Sequence, residues 1–178
     1  MIELGPALQG AKRGDRHAFA ALVELLHPRA MRYATHMVGN SEDAEEAVQD
    51  AFVRVYDNLS KFRDDAAFDP WFFRILANRC RTLLAKRKRR YAVIEYGDLP
   101  NNASTPASTS DEFAAEIQYV LNQLPAEQRE AFLLRHIEDM EYEAIAAITG
   151  VGLSAVRMRV KRACDVLRSE LNAVYMDA

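Results

Sequence analysis

The sequence has few cysteines and no long apolar run, and both shortages narrow the classes of protein to which it can belong. Cys80 and Cys164 are the only two cysteines among 178 residues, and neither belongs to a CxxC pair or has a histidine at ligand spacing. A disulfide framework and a zinc site are therefore not expected, and a reducing compartment fits. No stretch approaches the roughly 20 apolar residues of a membrane span, and the first residues lack the apolar core of a signal peptide. We expect a cytoplasmic protein with no membrane span.

The chain also lacks the patterns on which many catalytic sites depend. Its seven glycines form neither a P-loop nor a glycine-rich phosphate cradle, and His17, His27 and His36 have no carboxylate or cysteine companions. Glu42, Glu46 and Asp50 could form a metal-dependent phosphoryl-transfer site only if a second element supplied a converging His or Asp, and none is apparent. We expect no catalytic residue, no metal and no cofactor, and hence no enzyme.

The net charge of the chain is small, but its charged residues are strongly segregated. The net charge is −3, with the acidic residues crowded into 42–50 and 111–143 and the basic residues elsewhere. Because local sign governs the binding of a charged partner more than the sum does, a net negative value does not exclude nucleic acid.

The stretch 62–90 contains the only tryptophan and the densest positive charge. Asp69 is predicted to cap a helix that has Pro70 in its first position. Apolar residues then recur at helical spacing and predict one buried stripe, with two more large residues beside it. The stripe comprises Phe72, Leu76, Cys80 and Leu83, with Trp71 and Ile75 beside it.

The opposite side of this helix is basic. No acidic residue occurs between Pro70 and Ile94, and Arg74, Asn78 and Arg81 recur at steps of three or four residues. A solvated face with a targeting-like run at 86–90 is the plainer interpretation. Uniform positive sign, the aromatic cluster at Phe68 and Trp71, and a second basic helix later in the chain together favour a phosphate backbone as the partner.

The residues before this stretch predict two further helices. Asp15 is expected to cap the first, which Pro28 would bend or restart, and Ser41 the second. The outer face of the second helix carries Asp43, Glu46, Gln49, Asp50 and Arg54. An ordinary solvated face explains this pattern, but a partner-binding surface explains it better, because the helix is expected to pack beside the basic one.

After residue 90 the helical pattern stops. The segment 91–110 has two prolines and a polar tract without periodicity, which is typical of a flexible linker. We therefore predict an all-α protein with an N-terminal helical domain at 1–90, a linker at 91–110 and a C-terminal domain at 111–178, each half packed separately.

The C-terminal domain is predicted to contain a helix-turn-helix. A short helix ends at a turn of sequence TGVG, residues 149–152, and a long basic helix follows. In this motif the second helix enters the major groove, where Arg or Lys reads guanine. An exposed amphipathic helix of a bundle is the alternative. The candidate contacts on the outer face are Ser154, Arg157, Met158, Lys161 and Arg162.

Four motifs, in this order, resemble the small two-domain bacterial sigma factors of the extracytoplasmic-function (ECF) group. They are GDRHAFAALVELLHP, DAEEAVQDAFVRVY, FRDDAAFDPWFFRILANRC and LPAEQREAFLLRHIEDMEYEAIAAITGVGLSAVRMRVKRA. They cover about residues 14–90 and 111–171. The resemblance implies a subunit that binds core RNA polymerase and directs promoter-specific initiation, and it suggests an anti-sigma factor as a further partner.

The resemblance also implies roles for particular residues. The acidic helix, with Asp43, Glu46, Gln49, Asp50 and Arg54, would dock on the clamp of the largest polymerase subunit. The terminal helix would read the distal promoter element. The proximal element and the melted strand would be held by Arg63, Phe68, Trp71, Arg74, Asn78, Arg81, Lys86, Arg87 and Lys88. For Trp71 we expect the structural role to dominate.

One other class of protein fits part of this pattern. A stand-alone helix-turn-helix regulator would bind duplex DNA without polymerase. It would leave the acidic helix and the aromatic face near Asn78 unexplained.

Overall fold

A computed structural model of the chain describes residues 3–63, 67–94 and 109–176, and these form helices without a strand among them. The predicted all-α fold is confirmed. The helices are α1 (Leu4–Lys12), α2 (Arg16–Val38), α3 (Ser41–Asn58), a 3-10 turn (Leu59–Lys61), α4 (Phe68–Ile94), α5 (Thr109–Gln123), α6 (Ala126–His136), α7 (Tyr142–Thr149) and α8 (Leu153–Met176). Most of the predicted linker lies outside the described residues.

The second helix, α2, begins and ends as its sequence predicts. Asp15 Oδ1 accepts hydrogen bonds from the backbone N–H groups of His17 and Ala18, at 2.8 and 3.2 Å, and these bonds lower the pKa of the Asp15 carboxyl. Gly39 ends the helix at φ 85°, a left-handed conformation that favours glycine. Helix α2 does not restart at Pro28, because it continues through that residue to Val38.

Two of the helices start earlier than predicted, α3 by one residue and α4 by two. Asn40, not Ser41, caps α3, and its Oδ1 accepts from the backbone N–H of Asp43 at 2.8 Å. Helix α4 begins at Phe68, so Asp69 lies in its first turn and does not cap it. Asp69 instead forms an ion pair with Arg29 at 2.8 Å.

The first four helices enclose a core rich in aromatic rings. Tyr33 of α2 meets Phe73 of α4 edge-on, with ring centroids 5.5 Å apart, and Phe52 of α3 lies 5.5 Å from Phe72. The predicted stripe of α4 is confirmed as buried, and Trp71 and Ile75 beside it are half-buried. Helix α1 packs closely on α2, since a Cβ at Gly10 would come 2.5 Å from the Ala18 Cβ.

The last four helices form a second packed group. Helices α7 and α8 meet at the predicted turn, where Gly150 has φ 71°. Both helices contribute to the core of this half through Ile145, Ile148, Val156 and Val160.

The two halves also contact each other, which the sequence did not lead us to expect. Helix α6 packs against α2, and α7 packs against α4. Among the described residues, no helix is both long and apolar enough to cross a bilayer.

Candidate nucleic-acid interface

The exposed side of α4 combines cations with an amide. Arg74 and Asn78 are exposed and Arg81 is half-buried, as the helical spacing predicts. The terminal nitrogen of Arg81 donates to Asn78 Oδ1. A guanidinium has only donors, so the amide oxygen must face it, and the Nδ2 group of Asn78 is left as a pair of donors. Arg81 therefore fixes which edge of Asn78 is offered to a ligand.

An open pocket of about 330 Å³ lies beside Asn78, between α3 and α4. This volume is near the lower end of the range of small-ligand pockets. The residues that line it include polar groups from both helices and two apolar side chains: Arg54, Asn58, Trp71, Ile75, Asn78, Arg79 and Thr82.

Trp71 separates this pocket from a second one of about 390 Å³, which Asn58, Lys61, Phe62 and Arg63 also line. Its indole stacks on the Phe62 ring, with centroids 4.6 Å apart and planes inclined by 24°. Trp71 is thus packed on one side by Phe62 and still lines both pockets. An aromatic face flanked by cations is the chemistry that holds unstacked bases.

Phe68 does not belong to this accessible surface. Its side chain is only 1% exposed and packs against the rings of Phe62, Trp71 and Phe72. The prediction that Phe68 contacts an exposed base is corrected, since a ring in the core cannot stack on a ligand. Its apolar position in the first turn of α4 is better explained by support of Trp71.

The basic run that follows is mostly in solvent. Lys86 and Lys88 are exposed, while Arg87 is half-buried. Arg87 Nη1 donates to the backbone oxygen of Val38 at 3.3 Å and lies 3.9 Å from Asp43 Oδ2. Arg87 therefore helps to hold α4 against the end of α2, in addition to any contact with a phosphate.

Helix α3 packs beside α4 as predicted, and two of its acids face that helix. Asp50 pairs with Arg79 of α4 at 2.5 Å, and Asp43 Oδ2 lies 3.9 Å from Arg87 Nη1 of the same helix. Glu46 and Gln49 are exposed. Only part of the predicted acidic face is thus directed at solvent.

Two apolar side chains extend the exposed face of α3. Val53 is 60% exposed and Tyr56 is 52% exposed, although Tyr56 has the spacing of the buried stripe. The Tyr56 ring packs edge-on against Phe19 of α2, with centroids 4.9 Å apart. Gln49, Val53 and Tyr56 lie on one side of the helix, at steps of three or four residues.

Helix α8 presents the predicted contacts at its N-terminal part. Ser154, Arg157, Met158, Lys161 and Arg162 are all exposed. The Arg157 guanidinium lies 5.6 Å from the centre of the Tyr142 ring of α7, and Lys161 pairs with Asp165 at 2.7 Å. The ring of α7 therefore restrains the direction of Arg157, whereas Arg162 has no partner among the described residues.

The pocket residues from α3 were not identified from the sequence as parts of a nucleic-acid site. Asn58 and Lys61 have no local pattern that marks them, and Arg54 was assigned to the polymerase-binding face. They reach Trp71 and Asn78 only because the end of α3 lies against the start of α4. Antiparallel packing of the two helices was the one signal that could have indicated them.

Comparison with known proteins agrees with this geometry. Residues 22–90 match Sigma-70 region 2, and residues 114–167 match Sigma-70, region 4. The RNA polymerase sigma factor NccH of Alcaligenes xylosoxydans is 33% identical over 176 residues, covering 94% of this chain and 92% of that protein. The ECF RNA polymerase sigma factor SigW of Bacillus subtilis is 27% identical and covers 92% and 94%.

Solved structures give the same result. The sigma factor RpoE of Bartonella quintana, in complex with the anti-sigma factor NepR, aligns with a TM-score of 0.75 at 27% identity, covering 86% of this chain and 96% of that one. CnrH, in complex with the cytosolic domain of CnrY, aligns with a TM-score of 0.70 at 29% identity, covering 94% and 96%.

The fold and the two cationic faces thus define a DNA-binding initiation factor. The chain belongs to the ECF group of RNA polymerase sigma factors. Its partners are core RNA polymerase and promoter DNA, and its function is to direct promoter-specific transcription initiation.

Proposed function

We propose that the two halves divide promoter recognition between them. Residues 1–90 bind core polymerase and open the proximal element, 91–110 tether the halves, and 111–178 read the distal element. The chain carries out no reaction itself and acts in the cytoplasm, where the polymerase meets the chromosome. The observation that carries the proposal is the accessible Trp71 and Asn78 of α4 beside two pockets edged with cations.

Strand capture is assigned to these two pockets. Trp71 supplies the part of its ring that Phe62 leaves uncovered, Asn78 offers amide donors fixed by Arg81, and Arg54, Arg63 and Lys61 surround the pockets with positive charge. A base that has left the duplex stack would gain stacking and hydrogen bonds there, and its phosphates would gain the cations. Arg74 and the exposed lysines of the basic run would hold the adjoining backbone.

Distal recognition is assigned to the start of α8. Arg157 and Arg162 are the candidates for bidentate contacts with guanine, and Lys161 is a candidate for a phosphate contact. Ser154 and Met158 complete the exposed surface of the first turns.

Polymerase binding is assigned to the exposed side of α3. Glu46 and Gln49 supply polar contacts, and Val53 and Tyr56 supply apolar area that a partner would bury. Asp43 and Asp50, which pair with Arg87 and Arg79, serve mainly to hold α4 in position. We further propose an anti-sigma factor as a regulatory partner, because the solved structure of the relative RpoE is a complex with the anti-sigma factor NepR.

Trp71 allows a direct test, since it is the only tryptophan of the chain. Adding the single non-template strand of a cognate promoter should change its fluorescence as a base stacks on the indole, and Asn78→Ala should weaken that titration. The same strand paired in a duplex is the matched control. A fluorescence response that is identical for single strand and duplex would contradict strand capture at these pockets.

A further inference from the structure

The start of α8 meets the first residue of α7 in one contact between a cation and a ring. Arg157 of α8 is exposed, and its guanidinium carbon lies 5.6 Å from the centroid of the half-buried Tyr142 ring. A cation within about 6 Å of a ring centroid is attracted by the π-electrons of the ring. The two helices of the helix-turn-helix are therefore connected through a side chain that is predicted to read DNA.

A second guanidinium lies against the same ring. Arg135, in the last turn of α6, has its guanidinium carbon 5.2 Å from the Tyr142 ring centroid. Its Nη1 donates to the backbone oxygen of Met140 at 2.9 Å and lies 3.4 Å from Glu141 Oε1. Arg135 is thus fixed to the segment that precedes α7. Because it is held there, it restricts the positions that the Tyr142 ring can adopt.

Arg157 differs from the other exposed cations at the start of α8 in how it is held. Lys161 pairs with Asp165 at 2.7 Å, and Arg162 has no partner within the described part of the chain. Arg157 contacts a ring, and no carboxylate or carbonyl oxygen of the residues in the described ranges accepts from it. Its direction is restrained without an ion pair that DNA would have to displace.

A planar guanidinium can use its face and its edge at the same time. Its five N–H donors lie in the plane, and a bidentate contact with guanine N7 and O6 uses that edge. An aromatic ring lies against the face and occupies no donor. The Tyr142 contact therefore restrains Arg157 and leaves its donors available to a base.

We propose that Tyr142 is a positioning residue that determines promoter selectivity at the base pair that Arg157 contacts. Its ring limits the directions of the Arg157 side chain before DNA binds, so fewer rotamers are lost when the guanidinium meets guanine. A guanidinium that swings freely can also donate to a neighbouring base or phosphate, so the restraint favours one base over the others. This role rests on the distal recognition by α8 proposed above, and it requires the ring of Tyr142 but not its hydroxyl group.

The test is a binding selection with holoenzyme, reconstituted from core RNA polymerase and the full chain. A promoter library with a randomised distal element is bound, and sequencing of the bound and free fractions gives the preference for each base at each position. Arg157→Ala identifies the position that Arg157 reads, because the preference for one base should fall there. The preferred base at that position is expected to be guanine on one of the strands.

Removal of the Tyr142 ring should act at that same position. Tyr142→Leu should lower the preference there by about two- to fivefold, the size of an exposed contact between a cation and a ring, and should leave the other positions unchanged. Tyr142→Phe keeps the ring and should retain the preference of the parent chain. Tyr119→Leu is the matched control, because it removes an exposed tyrosine of α5, and it should change no position.

A double variant measures the coupling between the two side chains. Once Arg157 is replaced by alanine, Tyr142→Leu should cause no further loss at that position, because the ring acts only through the arginine. Far-UV circular dichroism establishes that each variant is folded. Tyr142→Gln, which also lacks a ring, takes the place of Tyr142→Leu if that variant does not fold.

Three results would overturn the proposal: an equal loss for Tyr142→Leu and Tyr142→Phe, a loss spread evenly over all positions, or full preference without the ring. The first would assign the effect to the hydroxyl group, and the second to a phosphate contact or to stability. The third, with one position still flattened by Arg157→Ala, would leave distal recognition by Arg157 intact and remove only the positioning role. If Arg157→Ala lowers the preference at no position, the assignment of Arg157 to a base and the role of Tyr142 are both wrong.

Discussion

At the scale of single residues, the candidate site depends on pairs of side chains and less on isolated ones. Asn78 is useful to a ligand because Arg81 fixes its amide, and Trp71 is accessible because Phe62 and the buried Phe68 support it from behind. The sequence indicated Asn78 and Trp71 correctly as members of one surface region. It gave Phe68 the wrong role, because exposure of an aromatic residue near a helix start cannot be determined from spacing alone.

Replacing Asn78 with alanine should impair open-complex formation more on double-stranded promoter DNA than on DNA that is already melted. The reason is that the Asn78 amide is proposed to capture bases while the duplex opens. In pre-melted DNA those bases are already unpaired, so this step is not needed. Permanganate footprinting with the holoenzyme measures the melted fraction on both templates.

Lys86→Ala is the matched control. Loss of a phosphate contact should weaken binding to both templates to a similar degree. An equal loss on the two templates for Asn78→Ala would remove its assignment to strand capture.

Glu130 should make the stability of the fold dependent on pH. Burial raises the pKa of its carboxyl from 4.5 to about 6, against the opposing effect of Arg81 on α4 and Arg159 on α8; Glu127 of its own helix raises it further. The folded chain therefore binds a proton more tightly than the unfolded chain, so this group contributes stability that is present below about pH 4.5 and is lost as pH rises through about 6. The effect is at most about 2 kcal/mol.

The free energy of unfolding, measured with denaturant at pH 7.5 and pH 5, should thus rise with acid in the parent chain, and the rise should be smaller in Glu130→Gln. Glu138, whose pKa burial also raises, accounts for the remainder. A rise of the same size in both proteins would show that Glu130 has no part in the pH dependence.

At the scale of helices, most of the architecture could be predicted from the sequence. Periodicity located the buried stripe of α4, the turn before α8 and the exposed contacts on α8. Helix starts were less accurate, since Asn40 and Ser41 are both good caps and only the backbone conformation selects Asn40. Helix α1 was not predicted.

The cap of α3 gives a direct check of that correction. Asn40→Ala should lower the free energy of unfolding by about 1 kcal/mol, because it removes the acceptor of the Asp43 N–H group. Ser41→Ala should have little effect. Denaturant unfolding monitored by circular dichroism distinguishes the two variants. A larger loss of unfolding free energy for Ser41→Ala than for Asn40→Ala would restore the prediction that Ser41 caps α3.

The residues at the start of α8 are expected to contact the bases of the distal promoter element. Arg162→Ala should weaken binding of holoenzyme to its promoter by about 1–3 kcal/mol if Arg162 contacts a guanine, and should relax specificity at that base pair. Arg168→Ala, two turns further along the same exposed helix, is the control and should have a small effect. Equal effects for the two arginines would assign Arg162 to the solvated side of α8.

At the scale of the whole molecule, the sequence predicted two modules and a tether but not their contact. Arg29, Arg32 and Glu138 are ordinary charged residues within their own helices and turns, and only tertiary packing brings them together. Long-range pairing of this kind leaves no periodic signal in either segment. The family assignment, by contrast, depends on motifs that extend through both modules, so one sequence was sufficient to predict it.

The most direct measurement of the central claim is run-off transcription with purified chain and bacterial core RNA polymerase on a library of promoter fragments. The account predicts that the chain associates with core enzyme and that transcripts begin at defined positions sharing proximal and distal sequence elements. Failure to associate, or association without initiation at any defined position, would contradict it.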